Sequence, residues 1–98
     1  MDVQWDSAKA RSNRRKHGIS FADVEIAFYD DFAVVIDDPD AEDEDRYVLI
    51  GTDAIGRVVS VIYTYRGESI RIISARKSSK SSKSSKSERM TYEEGIRL

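Results

Sequence analysis

An α+β domain, with two N-terminal helices packed on a four- to five-stranded mainly antiparallel sheet and a short C-terminal helix, follows from the order of patterns along the chain. Residues 7–30 carry helix-boundary signals and one helical apolar stripe, whereas residues 32–75 switch to short β-branched runs separated by glycine-bearing turns. With 98 residues there is room for one domain and one modest core.

The opening residues alternate Val3 and Trp5 against Asp2 and Gln4, as a short strand does. Asp6 or Ser7 then offers an N-cap oxygen to a helix running to about Lys16, and His17 with Gly18 ends it. That helix is cationic: Lys9, Arg11, Arg14, Arg15 and Lys16 stand beside only Ala8 and Ala10, with no internal acid. Lys9, Asn13 and Lys16 fall on one helical face. A solvated face is the ordinary reading of that row; contact with phosphate or with an acidic partner is the sharper one. The next helix begins at once. Ser20 to Asp23 has the form of a capping box, Ile19 can staple onto Val24, and Phe21, Val24, Ala27 and Phe28 give a core-facing stripe ending near Asp30 and Asp31.

Four strand-like runs follow: FAVVID, RYVLIGT, RVVSVIYT and SIRIISA. Asp53 to Gly56 and Tyr65 to Glu68 are short enough for hairpins. Residues 37–45, DDPDAEDED, hold seven acids around Pro39 and Ala41 but lack the glycine and closing glutamate of a calcium loop, so a solvated acidic loop is expected.

The run from Glu68 to Lys77 places Arg71 and Arg76 among Ile70, Ile72 and Ile73. Charge beside a core needs a partner, which for strand arginines is a sheet edge, a carboxylate or a substrate. Strict alternation puts Ile70, Ile72, Ser74 and Arg76 on one face and Ser69, Arg71, Ile73 and Ala75 on the other, so the two arginines diverge unless a bulge re-aims one. Beyond Lys77 the Ser/Lys repeat is too polar to build a core. The organisation expected is a core over residues 1–77, a low-complexity insert over 78–87, and a C-terminal helix and tail of the same domain over 88–98.

Charge is unevenly placed: residues 1–65 hold 7 Lys and Arg against 14 Asp and Glu, and residues 66–98 hold 9 against 4. Such asymmetry raises the question of nucleic acid or an oppositely charged protein. The absence of cysteine excludes disulfides and thiolate sites, and a single histidine cannot supply a zinc set. No metal and no cofactor are therefore expected. No phosphate-binding loop or dinucleotide fingerprint is present. The apolar runs are too short for a membrane span and the N-terminus lacks a signal-peptide core, giving the expectation of a soluble cytoplasmic protein.

The remaining inventory of cations, His17 and tyrosines suits attack of an RNA 2′-hydroxyl on its adjacent phosphate. That step needs a proton acceptor, cations on the phosphoryl oxygens and a donor for the leaving 5′-oxygen. Arginine bridges phosphate oxygens, and histidine is the side chain that changes charge near neutral pH. A histidine at a helix C-terminus serves equally as a capping cation.

The ordered series Trp5-Asp6, Lys9-Ala10, Asn13, Lys16-His17-Gly18-Ile19-Ser20-Phe21, Arg46-Tyr47, Gly51, Gly56-Arg57, Val61, Tyr63-Thr64 and Arg71-Ile72-Ile73-Ser74-Ala75-Arg76-Lys77 resembles the BrnT family, toxins of bacterial type II toxin-antitoxin pairs. The resemblance spans residues 2–77 and 88–95, and its most specific pieces are the KHGISF and RIISARK blocks. It implies a RelE-like fold, RNA-binding and ribonuclease activity that inhibits translation and growth, and neutralisation by a BrnA-type ribbon-helix-helix antitoxin that alone contacts operator DNA. The Ser/Lys insert departs from the family pattern, in which the last strand passes more directly to the last helix.

The expected site joins His17, Arg71 and Arg76 as catalytic groups with Lys9, Asn13, Lys16, Arg66 and Lys77 as substrate-binding groups, in a metal-independent endoribonuclease. Arg66 enters because related sequences commonly carry arginine after that strand. The competing class is a catalytically silent partner of a ribbon-helix-helix antitoxin that acts in operon repression. Toxicity on expression without the antitoxin separates the two.

Overall fold

The computed structural model describes residues 2–39, 41 and 45–78. The C-terminal helix expected over 88–98, nearly all of the Ser/Lys insert and part of the acidic loop lie outside the described residues. Strand β1 (Val3–Trp5) leads into helix α1 (Ser7–His17) and then α2 (Phe21–Val24), which continues as a 3-10 turn over Glu25–Tyr29. Strands β2 (Val34–Asp37), β3 (Tyr47–Thr52), β4 (Val58–Arg66) and β5 (Ser69–Lys77) follow. They form one five-stranded sheet in the order β1-β5-β4-β3-β2.

Three of the pairings are antiparallel, but β1 runs parallel to β5, so the sheet is mixed. The parallel pair brings the first strand beside the last. The Ile70 amide donates to the Asp2 carbonyl at 2.8 Å, and the Ser69 hydroxyl and Gln4 amide both donate to the Asp2 carboxylate. Those two donors, Ser69 first, hold the Asp2 carboxyl below its usual pKa.

Both ends of α1 use the expected residues. Asp6 Oδ1 accepts from the Ala8 amide at 3.0 Å, and Gly18, at φ 69°, donates its amide to the Arg14 carbonyl at 2.8 Å. The second helix departs from expectation. Ser20 makes no side-chain cap bond; its carbonyl accepts from the Asp23 and Val24 amides, while the Asp23 carboxylate faces Arg57 instead. The tighter 3-10 winding lays Ala27 on β3 at Gly51, where a Cβ would lie 3.2 Å from the Ala27 carbonyl oxygen. A side chain at that position would require the Ala27 backbone to give by a few tenths of an ångström.

The main core lies between the helices and one sheet face. Ile19, Phe21, Val24 and Ala27 meet Leu49, Val59, Val61, Tyr63, Ile70, Ile72 and Ala75 there. A smaller cluster of Val48, Ile50, Val58 and Ile62 occupies the other face. On the core side Tyr63 stacks edge-on with Phe28 at 5.1 Å and lies 5.6 Å and 5.8 Å from Tyr47 and Tyr65. Burial, reinforced by the neighbouring Tyr65 phenol, pushes the Tyr63 pKa up to about 12.

At the end of β5, Ser78 still belongs to the sheet. Its amide donates to the Val58 carbonyl at 3.0 Å and its hydroxyl meets that of Ser60 at 3.0 Å. Among the described residues no helix is long and apolar enough to cross a membrane.

Candidate functional site

The register of β5 decides where its charges go. Tyr63 pairs with Ile72 and Ile62 with Ser74, so Ile73 is an extra residue with no partner of its own on β4. This β-bulge shifts the alternation by one. Ile70, Ile72, Ala75 and Lys77 consequently face the same side as Tyr65, Tyr63, Val61 and Val59, which is the core side. Arg71, Ser74 and Arg76 pair with Thr64, Ile62 and Ser60 on the opposite side. Strict alternation would have sent the two arginines apart; the bulge puts them on one face with Ser74 between them. Arg66, two residues beyond Thr64, shares that face, whereas Lys77 emerges on the other.

Helix α1 packs against the same stretch of β5. Past the end of β1 the β5 edge has no strand partner among the described residues, and the side-chain amide of Asn13 takes that place. Asn13 Nδ2 donates to the Ala75 carbonyl at 2.8 Å and to the Ile19 carbonyl at 3.1 Å, and its Oδ1 accepts from the Ala75 amide at 3.0 Å. The Ser74 hydroxyl donates to the same Oδ1 at 3.3 Å. Asn13 is only 6% exposed, so its amide is consumed by the fold, unlike the substrate-facing amide that helical spacing suggests.

The anchoring by Asn13 leaves a cleft of about 260 Å³ between helix and bulge, lined by Lys9, Ser12, Asn13, Lys16 and His17 from α1 and by Ile73 and Ser74 from β5. Lys9, Lys16 and His17 are exposed along one side. Of the residues expected to act together, the structure brings Lys9, Lys16 and His17 into one cleft. It sets Arg71 and Arg76 on the strand face that carries Ser74, and none of Arg66, Arg71, Arg76 and Lys77 belongs to the cleft lining. Among the described residues no ion pair joins a carboxylate to Lys9, Lys16, His17 or Arg71. Their charge is therefore directed outward.

The last turn of α1 carries Arg14, Arg15, Lys16 and His17, where cations are also favoured by the helix dipole. Among the described residues no group of three or more His, Cys, Asp or Glu side chains is placed to hold a metal ion.

A buried ion pair fixes the helix side of the cleft. Asp53, between β3 and β4, accepts from the Ile55 and Arg57 amides at 3.1 and 2.9 Å and from Arg57 Nε at 2.7 Å. The Arg57 guanidinium also reaches the Gly18 carbonyl at 3.5 Å and the Asp23 carboxylate at 3.8 Å, tying the hairpin to the α1–α2 junction. Sequence reasoning treated Asp53 as part of a turn and missed this, as it missed Ser74; the acid four residues before Arg57 was the available signal.

The comparison with known families fits this geometry. The family model described as the ribonuclease toxin BrnT of type II toxin-antitoxin systems matches residues 5–82. The chain belongs to the BrnT family. In three dimensions it is similar to the Brucella abortus ribonuclease toxin BrnT, known from a 1.1 Å crystal structure, with a TM-score of 0.64 and 30% identity. The match covers 82% of this chain and 99% of that one. A search of curated proteins gave no match. As a BrnT-family ribonuclease toxin of a type II system, the chain is one half of a toxin-antitoxin pair.

Proposed function

We propose that this chain is a metal-independent endoribonuclease that cuts RNA at the α1–β5 cleft, inhibiting translation and growth, on a RelE-like scaffold. The observation that carries this reading is the bulge at Ile73, which puts Arg71 and Arg76 on one face with Ser74, the residue that meets the α1 cations in the cleft.

In this reading Lys9 and Lys16 draw the RNA backbone into the cleft, and the field of Arg66 and Lys77 extends the approach. Arg71 and Arg76 hold the scissile phosphate and stabilise the charge that builds on its oxygens. The 2′-oxygen bonds to phosphorus as the bond from phosphorus to the 5′-oxygen breaks. One proton leaves the 2′-oxygen and one reaches the 5′-oxygen, leaving a 2′,3′-cyclic phosphate and a free 5′-hydroxyl. His17, at the mouth of the cleft, moves these protons. A BrnA-like ribbon-helix-helix antitoxin restrains the activity and carries the operator DNA contacts.

Incubation of the purified protein with a defined RNA in excess chelator, followed by analysis of the product ends, tests the proposal. Cyclic phosphate ends support it. Intact RNA, together with normal growth on expression without antitoxin, favours the catalytically silent binding partner instead.

A further inference from the structure

Ser74 is the one hydroxyl that β5 contributes to the cleft, and its hydrogen-bonding direction is fixed by the protein. The Ala75 amide requires an acceptor and the Ala75 and Ile19 carbonyls require donors, so the Asn13 side chain has one possible orientation, with Oδ1 toward Ala75 N and Ser74. An amide oxygen only accepts. Towards that oxygen Ser74 can only donate, at 3.3 Å, and this is the only hydrogen bond of its hydroxyl among the described residues. The lone pairs of Ser74 are left for the cleft, where Lys9 and Lys16 supply positive charge. A ligand that satisfies both must present an anion and, next to it, a hydrogen-bond donor. In nucleic acid that combination is a ribose 2′-hydroxyl beside its 3′-phosphate; deoxyribose lacks the donor.

We infer that Ser74 is a specificity-determining residue, its oxygen accepting the 2′-hydroxyl of the bound nucleotide, whose phosphate the cations hold, before His17 takes that proton, and so favouring RNA over DNA. The inference rests on the cleft being the nucleotide site, as proposed above. Asn13 acts through Ser74 and is a positioning residue.

The test uses the full chain and ligands that cannot be cleaved: cytidine 3′-monophosphate and its 2′-deoxy counterpart, titrated by NMR. The unaltered protein prefers the ribose form by about fivefold, the worth of one hydrogen bond. Ser74→Ala loses that preference by binding the ribose form more weakly, with the deoxy form unaffected, and Ser74→Thr, which keeps the oxygen, retains it. Lys16→Ala weakens both nucleotides alike. A Ser74→Ala protein with an unchanged ratio, or an unaltered protein with none, overturns the role of Ser74 while leaving the anion site standing. Nucleotide binding indifferent to Lys16→Ala overturns the cleft assignment itself.

Discussion

Arg57 Nε lies 2.7 Å from Asp53 Oδ2, and the Asp53 side chain is fully enclosed while the Arg57 side chain is 23% exposed. Removing the acid leaves a guanidinium and two turn amides without their acceptor. Breaking a buried pair costs about 3–5 kcal/mol, and the partial exposure of Arg57 places the loss near the lower end. Asp53→Ala is expected to lower stability by about 3 kcal/mol in urea denaturation. A change below about 1 kcal/mol would show that the pair is not a principal tie between hairpin and helices.

Asn13 offers a second stability test. Asn13→Ala leaves the Ala75 amide and two carbonyls without a partner at a buried junction, and each buried unsatisfied group costs about 1–3 kcal/mol. Asn13→Asp keeps the shape but turns an acceptor toward the Ile19 and Ala75 carbonyls, so it is expected to be at least as damaging at neutral pH. Thermal melting of both variants settles the order. An Asn13→Asp protein as stable as the unaltered one would mean that the amide donors contribute nothing.

Most of the sheet was legible because each run carries its own signature: alternation in β1, β-branched residues in β3 and β4, glycines in the turns. The cationic α1 face was legible for the same reason, since i, i+4 and i+7 spacing is a local property. What was not legible depends on distant partners. The parallel pairing of β1 and β5 joins residues at opposite ends of the fold, and no local pattern encodes it. The bulge at Ile73 depends on how β5 registers against β4, and one inserted residue inverts the face of everything after it. Asp23 reads as a capping residue until Arg57 is placed opposite it.

Deleting Ile73 probes the bulge directly. Without it the sequence Ile70-Arg71-Ile72-Ser74-Ala75-Arg76 alternates as a regular strand, so pairing with β4 is kept and the protein should retain its circular dichroism. The deletion removes one residue of the cleft wall and draws in the strand at Ser74, and a misplacement of about 1 Å costs about 10²-fold in rate at a catalytic site. RNA cleavage is expected to fall by about that factor. A folded deletion protein with full activity would detach the bulge from the chemistry.

Tyr63 links packing to alkaline stability. An ordinary tyrosine ionises near pH ~10, whereas burial and the Tyr65 phenol push Tyr63 up to about 12. Between these values the unfolded chain has released this proton and the folded chain still holds it. The unfolded state then binds fewer protons, and stability falls as pH rises. The contribution is fully present below pH ~10 and is lost on rising through about 12. Tyr63→Phe is expected to flatten the decline over that window in denaturant titrations. An equally steep decline in both proteins would assign it to other groups.

Lys9 and Lys16 are assigned to phosphate contact, which makes a quantitative claim about salt. Each cation that neutralises a phosphate of single-stranded nucleic acid adds about 0.7 to the slope of log affinity against log salt concentration. Lys9→Ala and Lys16→Ala should each lower that slope by about 0.7 for RNA binding, and the double substitution by about twice as much. Arg71→Ala belongs to a different class. If its guanidinium stabilises charge that builds only in the transition state, kcat falls by about 10²-fold or more while KM changes little. Lysine substitutions that leave the salt slope intact would place the RNA away from α1. An Arg71→Ala protein altered only in KM would make that arginine a binding group rather than a catalytic one.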